Sequence, residues 1–272
     1  MITATLGGLI KDYRIKKRLS QFEVSLRIGW KDTSRLSKIE QGRVGKPTRE
    51  TVERIIKALD LNKQEGGEFL LTGGYLPTDN EIIKVVRELR YKVDNWLYPA
   101  YMIDFSWRSI YTNYMTIATL NLPKKYVEYW NKRSLNILDF SFHLKEQFPI
   151  EIKKGEDEKN LKPFIIAEIA AFKIENNKYQ NERWYKKTVQ SLTKYKDFRR
   201  LWATIDSKMY HKKLYDYEYK RLIDVYEGKK GSLNFHLFTA KAISDPRFQI
   251  VLCYPADRYT EDYCLTLRHP QK

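Results

Sequence analysis

The chain has little cysteine: of 272 residues only Cys253 and Cys264 carry a thiol, with no CxxC pair and no histidine cluster beside them. That excludes a disulfide framework, leaves no ligand spacing for a zinc site, and fits a reducing cytoplasm. Glycine is equally scarce after Gly74, where only Gly155, Gly228 and Gly231 remain. No Walker loop, GxGxxG, GxSxG or HExxH occurs, so phosphate-cradling, nucleophile-elbow and zinc-hydrolase chemistries lack their scaffolds. Those three glycines follow Lys154, Glu227 and Lys230, none of them the small residue that a self-cleaving site with a Ser/Lys pair requires. His143 and His236 stand alone, and a lone histidine on an apolar segment is more often a satisfied core residue than a haem ligand. No apolar run approaches ~20 residues, and the amino end has no basic segment ahead of an apolar one. The expectation is a protein that is neither secreted nor membrane-spanning, is not an enzyme, binds no metal and requires no cofactor.

What is abundant is positive charge. The net charge is +16, a balance that favours polyanions through counterion release or acidic membrane surfaces through attraction. Residues 1–60 carry 14 Lys and Arg against 7 Asp and Glu, so the excess per residue is denser at the amino end. In that region Ser20-Gln-Phe-Glu-Val-Ser-Leu is followed by Asp32-Thr-Ser-Arg-Leu-Ser-Lys-Ile-Glu-Gln-Gly. Ser20 and Glu23 have the spacing of a capping box, and Asp32 can cap the next helix, which spells a helix-turn-helix. Leu36 and Ile39 share one face of the second of these helices and can pack inward. Thr33, Ser34, Ser37 and Lys38, with Arg35 at the edge, then point where a major groove would meet them. Leu6, Leu9, Ile10 and Tyr13 give a preceding helix a buried stripe. Thr48 can cap a fourth helix with the stripe Val52, Ile55, Ile56 and Leu59.

Leu70-Leu-Thr-Gly-Gly-Tyr-Leu-Pro stops helices and marks a border near Pro77. From Ile82 to Trp96 the stripe Ile82, Val85, Val86, Leu89, Val93 and Trp96 suggests a helix that either packs on its own domain or connects two copies as a dimer. Tyr98–Phe105 and Trp107–Asn113 read as two strands joined by a tight turn. Helical patterns follow at Leu161–Asn176, Arg183–Tyr195 and Asp197–Thr204. Tyr219–Tyr226, Leu233–Thr239 and Phe248–Tyr254 then read as a meander, with Gly228-Lys-Lys-Gly231 as a hairpin turn. On the second strand Leu233, Phe235 and Leu237 share a face, and on the third Phe248, Ile250, Leu252 and Tyr254 do. Strands, helices and strands in that order describe an α+β domain on an antiparallel sheet. The aromatic load, 20 Tyr, 12 Phe and 6 Trp, suits either a filled core or a pocket that grips an apolar ligand. Tyr101, Ile103, Phe235 and Leu237 are the candidate strand contributions to that pocket; Arg199-Arg200 beside Trp202 could sit at its mouth and meet a carboxylate, although arginines so placed are more often exposed on a solvated helix face.

Residues 5–60 resemble the lambda-repressor/Cro-like, Xre-type helix-turn-helix family through Leu6-Gly-Gly-Leu-Ile, Ser20-Gln, Leu36-Ser-Lys-Ile-Glu-Gln-Gly and Pro47-Thr-Arg-Glu-Thr. That resemblance implies phosphate contacts from Gln21, Arg43 and Lys46 and base contacts from Thr33, Ser34 and Lys38. Gly29-Trp-Lys-Asp makes the turn about one residue longer than usual, which places the register of Lys31, another candidate DNA contact, in question. The remainder resembles the MmyB-like, PAS-like ligand-binding domain through Pro99-Ala-Tyr-Met-Ile-Asp-Phe-Ser-Trp, Arg133-Ser-Leu-Asn-Ile-Leu, Asp197-Phe-Arg-Arg-Leu-Trp-Ala and Phe248-Gln-Ile-Val-Leu-Cys-Tyr-Pro-Ala. A His-Pro turn usual before its middle strand is replaced by Tyr226-Glu-Gly-Lys-Lys-Gly.

Together these readings predict a multidomain chain. An all-α helix-turn-helix domain spans 1–76, a connector helix 77–97, and a PAS-like α+β domain with a five-stranded antiparallel sheet 98–272. The expected function is a cytoplasmic homodimeric transcription regulator that binds double-stranded DNA and a small apolar ligand such as a fatty acid. The alternative is a DNA-binding protein whose second domain serves only protein interaction or dimerisation.

Overall fold

Local capping decides where the first helices begin. In the computed structural model, which describes residues 5–120, 122, 124, 127–128, 135–139, 142, 157–205, 221–224 and 232–268, Thr5 accepts the Gly8 N–H at 3.1 Å and opens α1 (Leu6–Lys16). Ser20 and Glu23 form the expected capping box at the start of α2 (Gln21–Ile28). Gly29 ends α2 at φ +82°, the left-handed conformation that glycine adopts without a Cβ clash. Then α3 runs Ser34–Glu40 and α4 Arg49–Ala58, the latter capped by Thr48 as expected. A further helix, α5 (Lys63–Thr72), starts on a second capping box, Asn62 with Glu65. Ile10, Val24, Leu36, Val52, Ile55, Leu59 and Phe69 close around one interior. Hydrophobic burial on this scale is the main stabilising term of such a small helical unit.

The chain divides into two compact units, 1–81 with 241–248, and 82–240 with 249–272. The first unit therefore contains a short segment from near the carboxyl end as well as the amino-terminal helices. Helix α6 (Asp79–Asp94) has Val85, Leu89 and Val93 buried, so much of its stripe is already used within the chain.

The second unit is built on a sheet whose strands are β1 (Ala100–Asp104), β2 (Ser109–Thr112), β3 (Arg221–Asp224), β4 (Ser232–Lys241) and β5 (Phe248–Pro255). Their order is β2-β1-β5-β4-β3. β1 pairs antiparallel with β2, Tyr101 opposite Thr112, with a register shift between Met102 and Ile103. β3 pairs antiparallel with β4, Arg221 opposite Phe235. The β1–β2 turn is tied by Asp104, which is fully buried and accepts hydrogen bonds from Ser106 and Arg108. Asn113 caps α7 (Tyr114–Thr119) and also bonds to Ala100, Val93 and Tyr98. The helices α8 (Asp157–Glu175), α9 (Arg183–Leu192) and α10 (Lys196–Thr204) follow, and α11 (Arg258–Arg268), absent from the sequence expectation, closes the chain.

On β4 the face Leu233, Phe235 and Leu237 does meet the core. On β5 the two faces are buried unequally. Val251, Cys253 and Pro255 are buried, whereas Tyr254 is exposed and Ile250 and Leu252 are only half-buried. Phe248, the first residue of the strand, is fully buried as well. His143 and the Gly228–Gly231 turn lie outside the described residues.

Candidate nucleic-acid interface

The candidate interface is the outer surface of α3 and the segments on either side of it. Leu36 is fully buried and Ile39 nearly so, which fixes the rotation of the helix. Ser34, Arg35 and Lys38 are consequently exposed, Thr33 and Ser37 half-buried. Thr33 rather than Asp32 is the N-cap residue, but the Asp32 carboxylate accepts the Ser34 N–H at 2.7 Å. That hydrogen bond, followed by the Ser34 hydroxyl, holds the Asp32 carboxyl below its usual range. Lys31 is exposed in the turn before the helix, and the Arg35 guanidinium lies over the Trp30 ring at 4.8 Å. The α2–α3 turn itself is anchored by the Trp30 N–H to the Ser25 carbonyl at 2.8 Å.

Two elements hold α3 from behind. Gly7 on α1 is so close to its backbone that an added Cβ would lie 2.9 Å from the Glu40 carbonyl oxygen. The Glu40 carboxylate receives Arg14 at 2.6 and 2.9 Å and the Gln21 amide at 2.8 Å. Gln21, expected at a phosphate, thus has its NH2 group committed to this buried carboxylate, while its carbonyl oxygen is not used in that bond. Neither Arg14 nor Glu40 was singled out in the sequence, although Glu40 belongs to the Leu36-Ser-Lys-Ile-Glu-Gln-Gly match.

Beyond α3 the loop to α4 presents Arg43 to solvent. Lys46 projects from the same loop with its ammonium 4.2 Å over the Tyr75 ring and 3.3 Å from the Gly74 carbonyl. These contacts orient the Lys46 ammonium.

Residues 5–66 match the family model of a helix-turn-helix domain. A comparison with curated proteins finds no match to the chain. The match therefore covers α1 to α4 and the beginning of α5, with α3 as the helix that follows the turn.

The candidate ligand residues separate. Tyr101, Ile103, Phe235 and Leu237 meet in the sheet core. Trp202 packs instead in a helical cluster with Phe172, Tyr185 and Phe198. Arg200 is exposed and pairs with Asp197 at 3.3 Å, so these residues do not form a single site. Asn176, missed in the sequence, is fully buried with no hydrogen-bond partner for its side-chain amide among the described residues. Among the described residues no group of three or more His, Cys, Asp or Glu is placed to hold a metal, and no helix is long and apolar enough to cross a membrane.

Proposed function

We propose that this chain is a sequence-specific DNA-binding transcription regulator, cytoplasmic and homodimeric, with no catalytic role. The observation that carries the DNA reading is the exposed row Ser34, Arg35 and Lys38 above a buried Leu36 and Ile39, on a helix-turn-helix domain. Such a row can enter a major groove while Arg43 and Lys46 meet phosphates. One domain buries too little DNA to be selective alone, so a pair of copies on a two-fold site supplies affinity.

For the second unit the proposal is a PAS-like domain that holds a small apolar ligand such as a fatty acid. The MmyB-like sequence resemblance and a sheet joining two early strands to three late ones support it. The buried Asn176 amide supports it too, because a polar group so placed calls for a polar partner such as a ligand's head group. A second reading, an interaction platform without a ligand, is favoured by rings that fill space against one another. Phe198 and Trp202 stack at 5.2 Å, and Phe172 and Tyr185 at 5.6 Å.

Two measurements on the full chain test these readings. Selection from a random duplex pool should enrich a short, two-fold-related motif; enrichment of no motif overturns the sequence-specific reading. Denaturing extraction with mass spectrometry should release a stoichiometric apolar compound; an empty extract, together with an unchanged melting temperature in fatty acid, favours the platform.

A further inference from the structure

The segment between β4 and β5 belongs to the helical unit, and its Arg247 is the largest fully buried side chain of the described residues. A buried guanidinium needs every donor matched, and here the matches are specific. Nε and Nη2 donate to Asp245 at 3.0 and 2.7 Å, and Nη2 donates to Glu81 at 2.6 Å. Glu81 in turn accepts two hydrogen bonds from Arg49 at 2.7 and 2.6 Å. One carboxylate therefore joins Arg247 to the residue that opens α4.

This clamp sits next to the support of Lys46. Arg49 donates to the Leu76 carbonyl at 2.7 Å, and Arg247 reaches the Tyr75 carbonyl at 3.5 Å. Tyr75 is the ring beneath the Lys46 ammonium, and its hydroxyl donates to the Pro47 carbonyl of the same loop. The tip presses against α5 as well, since a Cβ on Gly67 would lie 2.6 Å from Pro246 Cδ.

We infer that Arg247 is a positioning residue for DNA binding: through Glu81, Arg49 and the Tyr75 segment it fixes the loop that offers Lys46 to the DNA backbone. Arg247 touches no DNA in this scheme. The inference rests on the DNA-binding reading above and adds to it a residue ~200 positions from the helix-turn-helix. Pre-ordering matters because a lysine side chain held in place loses less conformational freedom when it meets a phosphate.

The test is a double-mutant cycle on the full chain, reading duplex affinity by fluorescence anisotropy at several salt concentrations. Arg247→Met and Arg247→Lys should each weaken binding about fivefold, with base preference unchanged. Each should lose most of that effect in a Lys46→Ala background and retain it in an Arg43→Ala background. A purely electrostatic role predicts that Arg247→Lys binds as wild type, and a merely structural role predicts equal losses in both backgrounds; either result overturns the inference. Glu81→Gln, which keeps the side-chain shape, should show the same selective coupling, and its absence also overturns it. If wild type binds no duplex, the DNA-binding reading falls and the inference with it. If wild type binds and Lys46→Ala leaves affinity and salt slope untouched, only the inference falls.

Discussion

Arg14 holds Glu40 through two hydrogen bonds, Nε to Oε1 at 2.6 Å and Nη2 to Oε2 at 2.9 Å, and so ties α1 to the last residue of α3. The same arginine donates to the Leu19 carbonyl at 3.0 Å, and Gln21 on α2 completes the carboxylate. With side-chain exposures of 12% and 2%, the pair is nearly dry. Arg14→Met should therefore cost about 3–5 kcal/mol, because it strands a buried charge. Arg14→Met with Glu40→Leu should recover much of that loss. Denaturant unfolding of the helical unit checks both, and a wild-type midpoint for Arg14→Met would falsify the tie.

Gly7 gives a second handle on α3. A Cβ there meets backbone oxygens of Ile39 and Glu40, atoms that cannot rotate away as a side chain can. Gly7→Ala should destabilise by about 1–3 kcal/mol despite the better helix propensity of alanine. Gly45→Ala has nothing within 4 Å and no positive φ, so it should be neutral. Melting curves of the two variants that coincide would refute the close approach.

How much of this was legible in the sequence depended on the range of the interactions. Ser20 with Glu23, the stripe of α3 and the exposed Lys38 follow from spacing along one helix, and local rules place them. α5 escaped because the nearby pair of glycines outweighed the Asn62 and Glu65 capping box, a signal that was present. Which face of β5 meets the core was not legible because a short apolar strand alternates ambiguously until its neighbours are known. Arg247 was invisible for another reason: its partner Glu81 lies 166 residues away, and no local pattern reports such a pairing. Arg200 could be read as a pocket residue beside Trp202 or as an exposed arginine on a solvated face, and the structure has it exposed, since positions two apart on a helix face different ways.

Acid should loosen the clamp around Glu81. Burial raises its pKa, but hydrogen bonds from Arg247, Thr78 and Arg49 outweigh this and bring it from 4.5 to about 2. A carboxylate depressed in the folded state contributes stability that is complete above its unfolded pKa. That contribution is lost as pH falls toward the folded one. The loss therefore belongs between about pH 4.5 and 2 and amounts to roughly 3 kcal/mol at most. Denaturant midpoints measured across this window should fall more steeply for wild type than for Glu81→Gln. Parallel curves would contradict the assignment.

Within the second unit, the core and the surface candidates should part company. Phe235 is fully buried in the sheet core, so Phe235→Ala should cost about 3–5 kcal/mol. Arg200 is exposed with a long, partly solvated contact to Asp197, so Arg200→Ala should change stability by less than about 0.5 kcal/mol. Thermal melts decide this. A large loss for Arg200→Ala would show that its guanidinium has a buried role.

The sharpest division of labour concerns Lys38 and Arg43, both exposed, one on α3 and one in the loop after it. A cation on the groove-facing helix can form hydrogen bonds to base edges, where the wrong base leaves a donor unmatched. A cation on the flanking loop reaches only phosphates, which are the same beside every base pair. Lys38→Ala should accordingly lower affinity for the selected site by about 1–3 kcal/mol while leaving random duplex nearly unchanged. Arg43→Ala should weaken both DNAs alike and reduce the slope of log affinity against log salt by about 1. Anisotropy titrations on the selected and a scrambled duplex, repeated over a salt series, separate the two effects. Equal losses on both duplexes for Lys38→Ala would move that residue from base reading to backbone contact and leave Ser34 and Arg35 to carry the specificity.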